Sequence, residues 1–438
     1  MMETLKSATL ILLVGLSFVQ SYFLSYSSPN FDPLVQDEYV KTDRIGSQAV
    51  LEDLLFPDQV VLHLGNLQHT VLYRGTADYR MVVEGVNQRS LEGFRKMNLS
   101  ALNINWDDVR NKQQGIEVKF RDGIPINVLQ RVMQLKGEMP LENDTITKIW
   151  IFTKETKDEV RTVLFTDIPN LVYEVQKSDI SGKDIERFVT EVQKPDASGK
   201  EVMIPYKTTN GDYYLPLKPV TFAEVRLPFK QFTVDQLKRS FFVDPAITRN
   251  LSERDGSEIY TDAKRGLQLK NDQRWMTYSD PVAAATAVDN KEGLQENLLS
   301  AVQFVNQHGG WNGVYSLQKV PQRLLPGNQP FIFRQYYGSL PLIDQRMYTL
   351  GPMKIIVQKG VVASYERSTI IPDMSSISNK ETTIIGGDAL DEKLNEYSKK
   401  NSVISVFPGY RTVVNDQSMD LIPAWAVELR DGSYEFLE

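Results

Sequence analysis

The stretch KEGLQENLLSAVQFVNQ, Lys291–Gln307, decides how the fold of this chain is read. Leu294, Leu298, Ala301, Val302 and Val305 recur at helical spacing, which predicts an amphipathic helix ended by His308-Gly309-Gly310. Strand-like runs follow at Gly313–Val320, Phe331–Tyr337, Met353–Gln358 and Val361–Arg367, the last pair closed by Lys359-Gly360. A second helix, Asp388–Lys400, precedes Val403–Val414, Leu421–Leu429 and, after Asp431-Gly432, Tyr434–Leu437. Helices followed by hairpin-linked strands mean an α+β unit with antiparallel sheets. No long βαβ run occurs, so a doubly wound fold is not expected.

Upstream, Asn210-Gly211 is a strong hairpin signal between Met203–Tyr206 and Tyr213–Leu217. Strand Thr221–Leu227, a helix Thr233–Phe241 capped by Thr233, and strands Glu258–Tyr260, Gly266–Leu269 and Arg274–Tyr278 complete a central unit. Earlier still, strands are expected at Gln59–Leu64, Thr70–Tyr73, Gly115–Phe120, Lys148–Phe152 and Val160–Phe165, with Arg121-Asp122-Gly123 ending the third. Ser90–Asn98, Ile126–Met133 and SGKDIERFVTEV (Ser181–Val192) read as helices. The turn-rich segment 194–199 marks a boundary. The expected organisation is therefore three α+β units, 43–196, 197–285 and 286–438, behind a proline-bearing linker at 29–42.

Residues 1–28 differ in kind. ATLILLVGLSFVQSYFL, Ala8–Leu24, would span roughly 26 Å as a helix, just short of a bilayer's hydrocarbon core. Lys6 before it and Asp32, Asp37 and Glu38 after it orient the N-terminus inside and the bulk of the chain outside. Tyr22, Phe23 and Tyr26 sit where an outer aromatic belt belongs. The expectation is a retained single-pass anchor in the cell membrane. The competing reading is a cleaved signal peptide, although no Ala-x-Ala site follows the apolar core. On either reading the chain leaves the cytoplasm. Ser17, Ser21 and Ser25 lie four apart on one helix face with Gln20 beside them. That face is either a contact for a partner helix or the polar side of a plain anchor.

The chain has 438 residues, a net charge of −7 and a pI near 5.3, which argues against nucleic acid and polyanionic wall polymer as steered partners. Hydrophobic content of 41% and charged content of 24% are those of a globular protein. There is no cysteine, so disulfides, thiolate catalysis and Cys-ligated zinc are excluded. The three histidines, His63, His69 and His308, show no metal-ligand spacing; His308 reads as a helix-end residue favoured by the dipole, and His63 as a half-buried strand residue. No Gly-x-Ser-x-Gly, phosphate-binding or dinucleotide-binding glycine loop occurs. Ser375, Ser376 and Ser378 with Lys380 read as a polar loop lacking an oxyanion hole, and Gly386-Gly387 as a cap. The adjacent acids Glu52-Asp53, Asp107-Asp108 and Asp391-Glu392 point apart and read as solvated surface. Residues Asn415–Asp420 are oxygen-rich but read as a hairpin loop rather than a calcium loop. No enzyme chemistry, metal or cofactor is expected. The aromatic run FIFRQYY, Phe331–Tyr337, with Trp425, reads mainly as core packing, with an exposed ridge as the minority reading.

Several segments carry a family likeness in a shared order. They are the short basic start with its single anchor, SYFLSYSSPNFD, Leu54–Asp58 (LLFPD), Gly310–Tyr315 (GWNGVY), Phe333–Pro341 (FRQYYGSLP) and Ile422–Trp425 (IPAW). Together they run from the first residues to the last, and the whole chain resembles the YycH family. The resemblance implies a multidomain α+β regulatory protein with no catalytic motif, its C-terminal part similar to YycI and PepSY-like folds. It implies an anchored protein of low-GC Gram-positive bacteria acting with YycI on the sensor histidine kinase YycG, also called WalK, which controls cell-wall metabolism. Contacts through the transmembrane helix are part of that implication; the sign of the effect is not. The alternative from the residues alone is an extracytoplasmic module that binds peptide or cell-wall fragments.

Overall fold

The computed structural model describes residues 6, 10, 13–20, 46–137, 144–154, 159–194, 201–208, 211–286, 293–322, 328–343, 350–374 and 377–437. Two large sheets dominate, both mostly antiparallel, with helices packed on them.

The first sheet holds ten strands: β1 (Gln59–Gly65), β2 (Gln68–Leu72), β3 (Ser90–Asn98), β4 (Gln114–Pro125), β5 (Gln134–Lys136), β6 (Thr145–Thr153), β7 (Val160–Thr166), β8 (Leu171–Ser178), β9 (Met203–Thr208) and β10 (Gly211–Pro216). They lie in the order β10-β9-β2-β1-β4-β6-β7-β8-β3-β5. At the centre of one face of β1, β4 and β6 lie Val60, Leu62, Ile116, Val118, Ile149 and Ile151, all apolar. Helices α1 (Ala77–Asn87) and α4 (Gly182–Val192) also bury their apolar residues in that core. Two further helices, α2 (Trp106–Lys112) and the single turn α3 (Ile126–Leu129), complete this half. Helix α4 begins as its sequence predicts, with Ser181 and Asp184 forming a reciprocal capping box.

The second sheet begins with β11 (Val220–Gln231) and the meander β12 (Arg249–Ser252), β13 (Glu258–Thr261), β14 (Gly266–Lys270) and β15 (Trp275–Ser279). It continues through β16 (Val314–Lys319), β17 (Phe331–Tyr337), β18 (Leu340–Ile343), β19 (Met353–Gln358), β20 (Val361–Ser368), β21 (Ile370–Pro372) and β22 (Ser378–Ile384). The long pair β23 (Val403–Val414) and β24 (Ser418–Leu429), with β25 (Tyr434–Phe436), completes it. Helices α5 (Val234–Phe241), α6 (Pro281–Thr286), α7 (Leu294–Gln307) and α8 (Asp388–Glu396) accompany these strands. Thr233 caps α5 through a second capping box with Gln236. The predicted stripe of α7 is buried as Leu298, Ala301, Val302 and Val305.

Five local expectations are corrected. Ser90–Asn98 is strand β3, not a helix: it pairs antiparallel with β8 and parallel with β5, and that pairing overrides local propensity. Strand β4 does not stop at Arg121-Asp122-Gly123 but carries an irregularity there, Gly123 at φ +86°, and runs on to Pro125. Only the first turn of Ile126–Met133 is helical, and α8 ends at Glu396 rather than Lys400. Ser378 opens strand β22 against β11, while Ser375 and Ser376 lie outside the described residues.

Strands expected of separate central and C-terminal units share one sheet, since β15 pairs with β20 and β11 with β24. The hairpin β9–β10 joins the first sheet through the single pair His69↔Met203. The largest hydrophobic core is continuous across both halves, from Val60 and Ile116 to Leu298, Trp311 and Phe333. Residues 13–20 are helical and exposed, and residues 21–45 lie outside the described set. Among the described residues no helix is long and apolar enough to cross a membrane.

Candidate functional site

The described body of the chain starts at Gly46, and its first residues do not join the sheet that follows them. They dock on the far side of the sequence, against the loop after α7. The Ser47 N–H donates to the Trp311 carbonyl (3.0 Å), the Trp311 N–H returns to Ser47 (2.9 Å), and Gly46 N–H donates to Gly309 (2.9 Å). Asn306, in the last turn of α7, holds the next residue: Ala49 N–H donates to Asn306 Oδ1 (3.0 Å) and Asn306 Nδ2 donates to the Ala49 carbonyl (2.9 Å). Trp311 Nε1 donates to the same Asn306 oxygen (2.9 Å), and its ring packs edge-on against Tyr315 and Phe333. We refer to this arrangement as the clasp.

The glycines of the clasp have a steric reason. A Cβ on Gly310 would meet the Gly46 carbonyl oxygen at 2.7 Å, and Gly310 sits at φ +72°. From beneath, Arg367 is buried at 2% exposure and held by neutral oxygens. Its guanidinium donates to Gly310 O (2.7 Å), Tyr365 Oη (3.0 Å), Ser368 O (3.2 Å) and Asn312 Oδ1. Asn312 in turn donates to Ile370 O (2.9 Å). The segment GGWN is thus a bracket between the incoming chain and β20.

Beside the clasp lies a cleft of about 320 Å³, at the lower end of ligand-pocket sizes. Ser47, Trp311, Tyr337, Ile371, Met374 and Met419 help to line it, and no charged side chain does among the described residues. The predicted aromatic run divides here. Phe331, Phe333 and Tyr336 are core residues, with Tyr336 Oη donating to Asp58 (3.1 Å), whereas Tyr337 is half-buried at the cleft. Trp425 is buried and donates to Ile385 O (2.8 Å).

The histidines depart from their sequence reading. His63 and His69 face each other across the β1–β2 hairpin with Nδ1 atoms 2.9 Å apart, exposed by 0% and 1%. His63 Nε2 lies 3.3 Å from Glu117 Oε1 on β4. From sequence, His69 falls in the turn and has no evident partner. Asn66 and Leu67, at φ +51° and +63°, form the turn and bring the two rings into register. His308 is buried rather than a charged helix-end group: its Nδ1–H donates to Phe304 O (2.9 Å), and burial pushes its pKa down to about 4.

The remaining candidates are surface chemistry. Asp107 pairs with Arg110 and Lys207 (2.8 Å each), and Asp108 with Lys112 (2.8 Å). Residues 415–418 turn between β23 and β24, as expected of a hairpin, and Asp420 takes a two-pronged contact from Arg226. Among the described residues no group of three His, Cys, Asp or Glu side chains could hold a metal. Ser17 and Gln20 lie on the exposed helical stretch 13–20, while Ser21 and Ser25 fall outside the described residues.

Comparison with known proteins matches the chain to two family models: the YycH protein N-terminal domain over residues 3–197 and the YycH protein C-terminal domain over residues 210–436. The two-component system WalR/WalK regulatory protein YycH of Bacillus subtilis (strain 168) is 20% identical over 324 residues, covering 72% of this chain and 68% of that protein. The crystal structure of YycH from Bacillus subtilis superposes with a TM-score of 0.71 at 16% identity, covering 90% of this chain and 99% of that one. The continuous sheets and the two-part match carry one conclusion: this chain belongs to the YycH family.

Proposed function

We propose that this protein is a non-catalytic regulator of a two-component system, anchored in the cell membrane by Ala8–Leu24 and acting outside the cell on a WalK-type sensor histidine kinase (YycG). Family membership over both halves of the chain, with a relative named as a WalR/WalK regulatory protein, is the observation that carries the reading. The sister protein YycI is the second partner in this proposal, and the units 43–196, 197–285 and 286–438 are its working parts. All three histidines are engaged in internal interactions, which supports a role without chemistry.

The physical requirement is modest. A partner that prefers one kinase state by about 1–3 kcal/mol shifts that equilibrium roughly 5- to 150-fold. In this reading Ser17, Gln20, Ser21 and Ser25 form the face that meets a partner helix, small residues allowing close approach and the amide bonding across it. The clasp supports the reading because it ties the tether to the body at a defined point. In-cell crosslinking scanned along residues 8–45, with the kinase and YycI as reporters, tests it. Adducts to either partner are expected on the serine face. A mature protein that starts beyond Gln20 and is released to the medium would overturn it.

A second reading, an extracytoplasmic module for peptide or wall fragments, is favoured by the uncharged cleft beside Tyr337. Thermal-shift measurements against wall fragments distinguish it: no stabilisation removes its support.

A further inference from the structure

Beneath the hairpin β9–β10 the first sheet buries a polar cluster that the regulatory reading does not use. His63 on β1 and His69 on β2 share one hydrogen bond between their Nδ1 atoms (2.9 Å). Glu117 and Lys119 of β4 face them, with Glu117 3.3 Å from His63 Nε2 and 3.3 Å from Lys119 Nζ. Trp150 of β6 stacks on His63 at 5.4 Å, with Lys148 Nζ 4.5 Å from the centre of the Trp150 ring. Arg110 of α2 is paired with Asp212 of β10.

The lid over this cluster is the hairpin itself. Tyr214 of β10 lays its ring 5.6 Å from His69 and 5.9 Å from His63, and its hydroxyl donates to Glu117 (3.3 Å). Lys119 Nζ donates to the Asp212 carbonyl (2.6 Å). Lys207 of β9 reaches Asp107 of α2 (2.8 Å). The hairpin's other face points elsewhere: Tyr213 and Leu215 are part of the core built by Leu390, Leu394, Val406 and Trp425. The hairpin is therefore a wedge between the N-terminal sheet and the C-terminal half. Its registered backbone pairing to the sheet is the one pair His69↔Met203.

We propose that the His63–His69 pair is a proton-operated latch, which holds hairpin β9–β10 closed while neutral and frees it when the surrounding medium turns acidic. The geometry supplies the reason. Nδ1 atoms at 2.9 Å can share one proton only, so a doubly protonated pair would set two N–H donors against each other. Four cations, Lys119, Lys148, Arg110 and, at the exposed rim, Lys207, already face three carboxylates, Glu117, Asp212 and Asp107. An added proton therefore enters a site with no spare anion. Burial first, and His63 second, push His69 down to about 4, and burial holds His63 below its usual range.

The sign follows. Both histidines protonate more readily when the hairpin is open, so the closed form is fully favoured above pH ~6.5 and loses ground as pH falls toward about 4. For His69 alone the open population should rise roughly a hundredfold or more across that window. Opening would detach Tyr214 from the sheet while Tyr213 and Leu215 stay bound, loosening one half of the molecule from the other. This inference does not depend on the kinase reading.

Hydrogen exchange on the detergent-solubilised full chain, corrected for intrinsic rates, tests it at about pH 7 and about pH 5. Peptides spanning 203–216 should lose protection at least about tenfold at the lower pH, while β7 and β8 keep theirs. His63→Gln with His69→Gln should abolish that difference, and His69→Gln alone should reduce it. Should those variants not fold, the imidazole titrations of the wild-type protein followed by NMR decide instead. Titration of either ring near its ordinary value, with the hairpin still protected, overturns the latch. So does a loss of protection that is uniform across the molecule, or unchanged in a folded His69→Gln variant.

Discussion

Ser47 and Trp311, 264 residues apart, exchange both of their backbone hydrogen bonds. The segment that begins at Gly46 is thereby fixed first to the GGWN bracket of the C-terminal half, and only afterwards enters β1. Asn306 and Arg367 connect this entry segment and its bracket to α7 and β20. The clasp also lines the cleft, through Gly46, Ser47 and Trp311.

Breaking the clasp should loosen the entry segment without dissolving the fold. Gly310→Ala places a Cβ 2.7 Å from the Gly46 oxygen at φ +72°, and Asn306→Ala removes the partner of Ala49 and of Trp311 Nε1. Each should cost about 1–3 kcal/mol and open residues 46–56 to limited proteolysis. Denaturant unfolding and a protease time course measure both effects. Wild-type cleavage rates in both variants would mean the clasp does not hold the segment.

Asp122 offers a gain of stability. It lies half-buried beside Glu428, and burial with that carboxylate's repulsion pushes it up to about 6. An acid whose folded pKa is raised contributes a penalty that develops as pH climbs from its unfolded value near 3.8 through about 6. Asp122→Asn should therefore stabilise the protein by about 1–3 kcal/mol at neutral pH and by little below pH ~4. Thermal denaturation at both pH values checks the crossover.

The sequence makes the architecture readable where periodicity and capping agree. Helix α7 shows its stripe in Leu294–Val305, α4 and α5 announce their caps, and the turn glycines Gly360 and Gly432 mark the β19–β20 and β24–β25 hairpins. Ser90–Asn98 is not readable as a strand because its partner β8 follows about 80 residues later, as the Arg95–Glu174 pair spanning 79 residues illustrates. The clasp is hidden for the same reason: GWNGVY is visible as a motif, but nothing local ties Trp311 to Ser47. The His63–His69 pair is closer to hand. A two-residue turn at Asn66-Leu67 sets the rings opposite each other, yet neither residue is the glycine that flags such turns.

His308 should contribute acid sensitivity separate from the hairpin. Its neutral ring stacks on Phe304 at 3.9 Å and donates to that residue's carbonyl, and its pKa lies at about 4 because it is buried. A histidine with a depressed folded pKa withholds its stabilisation as pH falls from about 6.5 toward 4. His308→Phe keeps the stack and removes the titration. Its stability should fall about 2–3 kcal/mol less than wild type between about pH 7 and about pH 4. Equilibrium unfolding at the two pH values measures this, and parallel losses would show that His308 is not the group involved.

The anchor and the clasp should act on the same output if the regulatory reading holds. Ser17→Leu, Gln20→Leu and Ser21→Leu together remove the small, polar face while keeping the segment apolar, so insertion should be retained while pairing with a partner helix fails. Gly310→Ala keeps that face but uncouples the tether from α7. Co-purification of the kinase should then fail with the triple variant and persist with Gly310→Ala, while a kinase-dependent reporter shifts toward the deletion phenotype in both. A reporter unmoved by Gly310→Ala would confine signalling to the membrane helix. One unmoved even by deletion under envelope stress would remove the kinase from the proposal altogether.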